Sequence, residues 1–454
     1  MGEKFVDQLS GFTKPLERTI SRVKALLLLA GQSKRFWPLQ EKSLFPVCGK
    51  TLLEIQVGNL RAAGISEITL VGGSHNLEQA KLSCPDLTLI EQEDLSLGMR
   101  GALLSALPAM QGPVMVVGGN DTVEPQAYMA LAEATQKKGT DGALLAKRVE
   151  TYFPGGYLKL AGERIETIVE KPGAGKEPSD LVTIVAHVHN NPAELLTELL
   201  RASPTHDDGY EQALAALFKT KTYHAVPYEG PWLPVKYPWH LLPLLQHELK
   251  KIQKPSIHPT AVIHPTAVID GNVILEEGVR VFAHATIVGP CFVGKRSIVA
   301  NNALVRGSSI GPDCVVGYST EIKSSILASH VWTHMTYLGD SIIGSNVSFG
   351  GGCVTGNFRL DEQEITSVVG EEKTPTGLTK FGCVIGNDCR LGIRSSFNPG
   401  IKIGKGTFVS SGVLVDKDIP EQSYVSMKAG EMTIRENKSA APSPEARKEF
   451  KKGI

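Results

Sequence analysis

Two stretches of this chain gather side chains that can move a proton or hold phosphate. Around His334 the sequence runs Thr333-His334-Met335-Thr336-Tyr337-Leu338-Gly339-Asp340, followed by Phe349-Gly350-Gly351-Gly352 and by Thr355-Gly356-Asn357-Phe358-Arg359. An imidazole titrates near neutrality, so it can take a proton from an attacking nucleophile. Near the other end, the apolar run Ala25 to Ala30 leads directly into Gly31-Gln32-Ser33-Lys34-Arg35. A glycine-rich turn after a strand brings backbone N–H groups against phosphate, and nearby Lys and Arg neutralise charge in phosphoryl or nucleotidyl transfer. A lone histidine is usually a surface or corner residue and Gly-x-x-x-Arg alone is a loose pattern, so each depends on the frame that carries it.

The frame around His334 is periodic. Ile257, Ile263, Ile269, Leu275, Val281, Ile287, Val293, Val299 and Val305 recur every six residues, and Ile385, Leu391, Phe397, Ile403, Val409 and Val415 resume the step. With 42% apolar residues, nine in fixed register arise by chance about four times in ten thousand. A step of six fits neither a helix nor simple strand alternation. It fits a parallel β-helix, in which three short strands form a triangular coil and each strand sends one residue into a thin aliphatic core. The frame around Gly31 alternates apolar runs (Ala25 to Ala30, Ile68 to Val71, Leu87 to Ile90, Val114 to Val117, Ala143 to Ala146) with helical stretches such as Thr51 to Ala63, stopped by Gly64. That order predicts an open, mostly parallel α/β sheet with ligands beyond the carboxyl ends of its strands, which puts Gly31 to Arg35 and Asp121 at the ligand edge. The expected division is a polar extension (1–22), an α/β domain (23–250) ending in a linking helix at His247 to Lys251, a β-helix (251–430), and a polar tail (431–454), partly disordered or with a short helix.

The composition narrows the classes. Lys plus Arg and Asp plus Glu are 47 each, so no net charge argues for nucleic acid or an anionic membrane. The N-terminal residues lack an apolar signal-peptide core, and no stretch is long and apolar enough to span a bilayer. Seven scattered cysteines, never in CxxC spacing, favour reduced core thiols and a cytoplasmic protein over disulfides or zinc.

The segment Leu28-Leu29-Ala30-Gly31-Gln32-Ser33-Lys34-Arg35-Phe36-Trp37-Pro38-Leu39, with Lys42 and Phe45-Pro46-Val47-Cys48-Gly49-Lys50, resembles the signature of sugar-1-phosphate nucleotidylyltransferases. Gly98, Asp121, Gly156, Glu170-Lys171-Pro172 and Tyr237-Pro238-Trp239 agree in order and spacing. The His334 region resembles the acetyltransferase half of bifunctional N-acetylglucosamine-1-phosphate uridylyltransferases, nearest to the archaeal form. The resemblance implies a Rossmann-like nucleotidyltransferase domain followed by a left-handed β-helix of hexapeptide repeats. It assigns Leu28, Ala30, Gly31, Gln92 and Gly98 to the nucleotide, with Arg35 and Lys42 facing its phosphates. Asp121, with His240 as a second candidate, would hold Mg²⁺, while Gly156, Glu170 and Thr183 would bind the sugar. In the β-helix it implies His334 as general base, Arg306, Lys323, Tyr337 and Asn357 around the sugar phosphate, and Asn357, Lys380 and Ser411 toward acetyl-CoA, the co-substrate. The implied partners are an NTP (UTP or dTTP), a sugar 1-phosphate and two further copies of the chain in a homotrimer.

Several positions depart from the pattern. Ser33 replaces the second loop glycine, Glu41 the proline before the lysine, and Met99 the threonine after Gly98. Thr183 and Val185 stand where Asn and Gly often touch the sugar, His240 where a carboxylate or amide binds metal, and Ser348 where an asparagine is usual. Two alternatives therefore remain open: a single-activity enzyme with one degenerate domain, and a non-catalytic scaffold or regulatory homologue. The base and the sugar are left undetermined.

Overall fold

The computed structural model describes residues 22–29, 31–204 and 208–446, which divide between two compact units. The first takes the chain up to Gln32 and Leu52–Pro234, and the second takes Ser33–Thr51 and everything from Val235. Ala30, residues 1–21 of the extension and residues 447–454 of the tail lie outside the described residues.

In the first unit, strands β1 (Lys24–Leu28), β2 (Ile68–Gly72), β3 (Thr88–Glu91), β4 (Val114–Gly118), β5 (Gly142–Arg148), β6 (Gly156–Ala161), β7 (Arg164–Glu170), β8 (Leu181–His189) and β9 (Tyr223–Pro227) form one sheet. Its order is β3-β2-β1-β4-β8-β5-β9-β7-β6. The strands β3, β2, β1 and β4 run parallel, as the alternation with helices predicts. Beyond β4 the sheet turns mixed, because β8 lies antiparallel to both β4 and β5, and β7 antiparallel to β9 and β6. Only β6 and β7 are joined as a hairpin; the other antiparallel pairs bring together strands distant in sequence, and no run of apolar residues distinguishes them from parallel ones. β1 and β4 are buried along nearly their whole length, which explains why they read as continuous apolar runs. The chain moves outward from β1 to β3 and returns to β4 on the other side of β1, so the order reverses between β1 and β4. The crevice at that reversal is where such sheets hold ligands.

The second unit is built on a parallel β-helix whose three faces are stacked parallel strands. Its inward residues are the six-step series: Leu275, Val281, Ile287, Val293, Val299, Val305, Ile385, Leu391, Phe397, Ile403, Val409 and Val415 are all buried in one core. Each such burial is worth roughly 1.5–3 kcal/mol. Ile257, by contrast, is 47% exposed, since the first coil has a neighbour on one side only. Where the six-step is lost the coils continue. Neighbouring coils are offset by 18 residues at Ile287↔Val305, by 17 at Val305↔Ile322 and by 16 at Ile322↔Leu338. Shortened corners alone erase the register. One turn is long, with Ile343 pairing Ile385, and its extra chain forms an arm containing the hairpin Thr366–Val369 with Glu372–Pro375. The tail begins not as a helix but as a strand, Glu431–Glu436, antiparallel to Ser423–Lys428. All seven cysteines are free, six of them buried. Burial pushes the Cys383 and Cys389 thiols up to about 12, which makes them inert packing groups.

Candidate active sites

His334 sits at a corner of the β-helix, between Trp332 on one face and strand Tyr337–Gly339 on the next. The corner is set by Thr336, whose Oγ1 donates to the His334 carbonyl (2.8 Å) and accepts from the His334 N–H (3.3 Å). This leaves the imidazole exposed at the surface. Corners stack in a column through turn hydrogen bonds: Met335 N to Tyr318 O, Gly352 N to His334 O, Arg394 N to Gly351 O and Gly412 N to Ile393 O. Ser411 therefore lies on the same column three coils beyond His334, about 14 Å away at the inter-strand spacing. Beside this column Trp332, Ser348, Arg390, Phe408 and Tyr424 follow one another on successive coils. They line a groove of about 390 Å³ that reaches His334. Ser348, the small residue among them, is the one that departs from the expected asparagine.

On the adjoining face Arg306, Lys323 and Gly339 occupy equivalent places on consecutive coils. Lys323 Nζ donates to Asp340 Oδ2 (3.1 Å), and Asn357 Nδ2 donates to the same oxygen (2.5 Å). Arg306 is paired with Glu321, its Nε at 3.1 Å from Oε1. A Cβ at Gly339 would stand 2.6 Å from both the Tyr337 hydroxyl and Asn357 Nδ2, so the glycine leaves room for both side-chain ends. Four residues expected around the sugar phosphate and thioester, Lys323, Tyr337, Asn357 and Arg306, are thus brought to one edge. Lys380 bridges Phe358, next to Asn357, with its Nζ 5.9 Å from the Phe358 ring centre. Asp340, which organises the cluster, had no role from the sequence reading; its signal was the Leu338-Gly339-Asp340 triplet following Tyr337.

In the first unit the residues expected to hold nucleotide lie in or past the ends of β1, β3 and β4, and those expected to hold sugar on β6, β7 and β8. Leu28 O accepts from Gly119 N (2.9 Å). Gly31 has open space where a Cβ would be. Gly98 opens helix α1 (Gly98–Ala106) at φ +53, a backbone that favours glycine. Gln92 is buried, with Nε2 donating to Asp94 O (2.8 Å) and Gly98 O (3.1 Å) and Oε1 without a partner. Asp121, just past β4, accepts from the Trp232 indole at Oδ1 (2.9 Å). Glu170 pairs with Gly156 across β7 and β6, and the Thr183 methyl would lie 3.2 Å from a Gly156 Cβ. The Thr183 hydroxyl faces inward, 3.2 Å from Leu145 O and 2.8 Å from His187 Nε2. Met99 and Val185 pack on the core.

Behind Thr183 runs a buried chain: His187 Nδ1 to Tyr210 OH (2.8 Å), Tyr210 OH to His189 Nε2 (3.2 Å) and His189 Nδ1 to Tyr223 OH (2.8 Å). One direction satisfies it throughout, with Tyr223 donating to His189, His189 to Tyr210, Tyr210 to His187, His187 to Thr183 and Thr183 to Leu145 O. Both histidines are then neutral, and burial holds them down at about 3.

Arg35, Lys42 and His240 belong to the second unit. Ser33, at φ +49, takes the left-handed backbone that glycine adopts without strain, and Arg35 lies over the Tyr237 ring at 5.8 Å. Lys42 begins a short 3-10 turn capped by Glu41, whose side chain accepts from Ser43 N. His240 Nδ1 accepts from Lys236 N (3.1 Å) within the aromatic group of Tyr237 and Trp239. Mg²⁺ calls for oxygen donors. Asp121 fits, since that ion takes one or two carboxylates and completes its shell with water and phosphate oxygens. His240 does not fit, being a nitrogen donor whose Nδ1 accepts from Lys236 N, which leaves the proton of the neutral ring on Nε2. Among the described residues no three His, Cys, Asp or Glu side chains gather to hold a metal, so the substrate's phosphates would supply the other ligands.

Residues 25–257, more than half the chain, match the family described as the MobA-like NTP transferase domain. The chain belongs to that nucleotidyltransferase family. Residues 252–374 match the GMPPB C-terminal domain, and residues 382–417 match the bacterial transferase hexapeptide, six repeats. As a member of the family the chain also has relatives along most of its length. The "Bifunctional protein GlmU" of Methanococcus vannielii is 29% identical over 90% of this chain and 99% of its own. The "Bifunctional sugar-1-phosphate nucleotidylyltransferase/acetyltransferase" of Sulfurisphaera tokodaii is 27% identical over 87% and 98%. A bacterial "Bifunctional protein GlmU", from Herminiimonas arsenicoxydans, is 25% identical over 90% and 97%. No helix among the described residues is long and apolar enough to cross a membrane.

Proposed function

We propose that this protein makes a nucleotide sugar by two reactions: acetylation of an amino-sugar 1-phosphate on the β-helix, and nucleotidyl transfer from UTP or dTTP to the product. Glucosamine 1-phosphate is the acceptor to test first. The observation that carries the reading is the Lys323–Asp340–Asn357 cluster, held with Tyr337 and Arg306 on the face that adjoins the exposed imidazole of His334. A scaffold or a degenerate β-helix has no use for a hydrogen-bonded polar cluster on the face adjoining an exposed base.

In the acetyl transfer the amine attacks the thioester carbonyl of acetyl-CoA, His334 takes the proton from the attacking nitrogen, and the CoA thiol leaves. Lys323 and Arg306 neutralise the sugar phosphate, Tyr337 and Asn357 orient it, and the groove from Trp332 to Tyr424 receives the thioester arm, with Ser411 further along the His334 column and Lys380 on the Asn357 side. In the second reaction a sugar phosphate oxygen attacks the α-phosphorus and pyrophosphate leaves. Mg²⁺, when bound, neutralises charge developing on the phosphates. Asp121 would hold it, Arg35 and Lys42 would face the phosphates, Gly31, Gln92 and Gly98 would seat the nucleotide, and Gly156 and Glu170 the sugar, with Thr183, its hydroxyl turned inward, backing Gly156. Free buried thiols and these substrates fit a cytosolic enzyme.

The active form in this reading is a homotrimer. Tyr318, Met335 and Ile393, on the corner column around His334, are each more than half exposed, and a second copy laid along that corner would cover them. A stable monomer by sedimentation at micromolar concentration would count against it. Paired assays test the chemistry: acetyl transfer to glucosamine 1-phosphate, and pyrophosphate release from UTP, dTTP and GTP with Mg²⁺. His334→Ala should abolish the first and spare the second; loss of both in a folded protein would sink the two-site reading.

A further inference from the structure

We infer that Trp232 is a positioning residue for the carboxylate of Asp121, through the indole N–H donated to Asp121 Oδ1 at 2.9 Å. The inference rests on the reading of Asp121 as the metal carboxylate. An indole N–H is a donor only, so Trp232 takes no place on a metal; it fixes one carboxylate oxygen and with it the orientation of the other. Partners of this kind, one bond removed from a ligand, change metal affinity by 10 to 100-fold when removed.

The arrangement is built from several directions. Leu233 and Pro234, the residues after Trp232, pair antiparallel with Thr122 and Asp121, so Trp232 leads straight into the short ladder on which Asp121 sits. The indole rests against Phe153, ring centres 4.6 Å apart. The preceding loop is tied down by Tyr228, whose hydroxyl donates to Pro231 O (3.0 Å), and by Lys147, whose Nζ donates to Gly230 O (2.9 Å). The Asp121 backbone is held independently: the buried Gln56 donates from Nε2 to Asp121 O (2.7 Å) and Gly118 O (2.9 Å). Asp121 is fixed through its side chain by Trp232 and through its backbone by Gln56 and the ladder. In a chain with His240 where a second oxygen ligand is usual, one carboxylate carries the protein's share of the metal, and its orientation matters correspondingly more.

Mn²⁺ titrated into the full-length protein tests this without turnover, with the free ion followed by its electron paramagnetic resonance signal. Wild type, Asp121→Asn and Trp232→Phe are compared; phenylalanine keeps a ring on Phe153 and removes the N–H. We expect Asp121→Asn to lose the site and Trp232→Phe to weaken it about tenfold with an unchanged thermal midpoint. Affinities of Trp232→Phe and wild type within twofold would overturn the positioning role. Wild type and Asp121→Asn binding alike would remove Asp121 from the metal and the inference with it. Absent pyrophosphate release with intact, Asp121-dependent Mn²⁺ binding would count against the proposed reaction alone. Should Trp232→Phe unfold, saturable quenching of wild-type tryptophan emission by Mn²⁺ carries the test, and its absence overturns the inference.

Discussion

Ser33 Oγ donates to Glu41 Oε1 across 3.0 Å, and the same oxygen accepts from Ser43 N at 3.1 Å. These two residues are the two places where the glycine-rich loop departs from its family's pattern, and they depart together. A glycine at 33 would supply the left-handed backbone freely and a proline at 41 would stiffen the chain. Here a serine at φ +49 accepts some strain, and its hydroxyl closes the loop onto the glutamate that caps the turn carrying Lys42. A double-mutant cycle on the KM for the nucleotide, using Ser33→Ala and Glu41→Ala, should give a coupling of about 0.5–1 kcal/mol. Additive losses would mean the pair acts separately.

Asp340 should matter as much as the residues it holds. Its Oδ2 accepts from both Lys323 and Asn357, and the side chain is only 12% exposed. Asp340→Asn removes the charge that anchors Lys323 and puts an amide against the amide of Asn357. We expect acetyl transfer to fall about 100-fold, which is close to 3 kcal/mol of transition-state binding, with the KM for the sugar phosphate raised and pyrophosphate release unchanged. Steady-state assays of the two reactions on one preparation decide it.

What the sequence made legible was what repeats. The aliphatic step of six follows from one inward residue per strand, and Leu275 through Val305 are buried as that step demands. The buried strands β1 and β4 show in the same way. Relationships set by long-range placement were not legible. The antiparallel insertion of β8 leaves no local trace, because a strand buried between two others looks alike in either direction. Coils of 17 and 16 residues read as a lost repeat although the core passes through them. Trp232 against Asp121 and Asp340 between Lys323 and Asn357 join residues whose spacing carries no motif, and Thr183 could be placed near Gly156 without showing that its hydroxyl turns inward.

The chain from Thr183 to Tyr223 makes stability depend on pH. His187 and His189 are held at about 3 in the folded protein against about 6.5 when unfolded. Between those values the unfolded chain binds two protons that the folded chain does not, so stability is full above about 6.5 and falls as pH drops below it. Urea midpoints measured from pH 7.5 to pH 5 should decline accordingly. His187→Gln should remove one proton's worth of that slope while lowering stability at pH 7.5. A flat profile in the wild type would mean the histidines are not buried neutral.

Lys402 anchors the arm. It is 3% exposed, and its Nζ reaches Asp418 Oδ2 (2.5 Å), Ser367 Oγ (3.0 Å) and Val368 O (2.5 Å), with the Trp37 ring 5.6 Å away. Breaking a buried pair by removing one partner costs about 3–5 kcal/mol. Lys402→Met should lose an amount in the lower part of that range, since Asp418 is partly exposed, and hydrogen exchange should rise first in residues 366–375. Uniform change along the β-helix would show that Lys402 supports the coil and not the arm.

Gly339→Ala separates fold from site most directly. The strand Tyr337–Gly339 pairs with its neighbour coil whatever the residue at 339, and Gly339 is absent from the positive-φ backbones, so alanine carries no backbone penalty there. The added Cβ would nevertheless meet the Tyr337 hydroxyl and Asn357 Nδ2 at 2.6 Å, well inside van der Waals contact, and those are side-chain ends that can swing away. Swinging them takes Asn357 off Asp340 and Tyr337 out of the sugar-phosphate edge. Stability should therefore drop by no more than about 1–2 kcal/mol, while acetyl transfer falls by two orders of magnitude or more and nucleotidyl transfer holds. An alanine variant with wild-type acetyl transfer would mean that Tyr337 and Asn357 are bystanders, and the cluster beside His334 would lose its claim to the sugar phosphate.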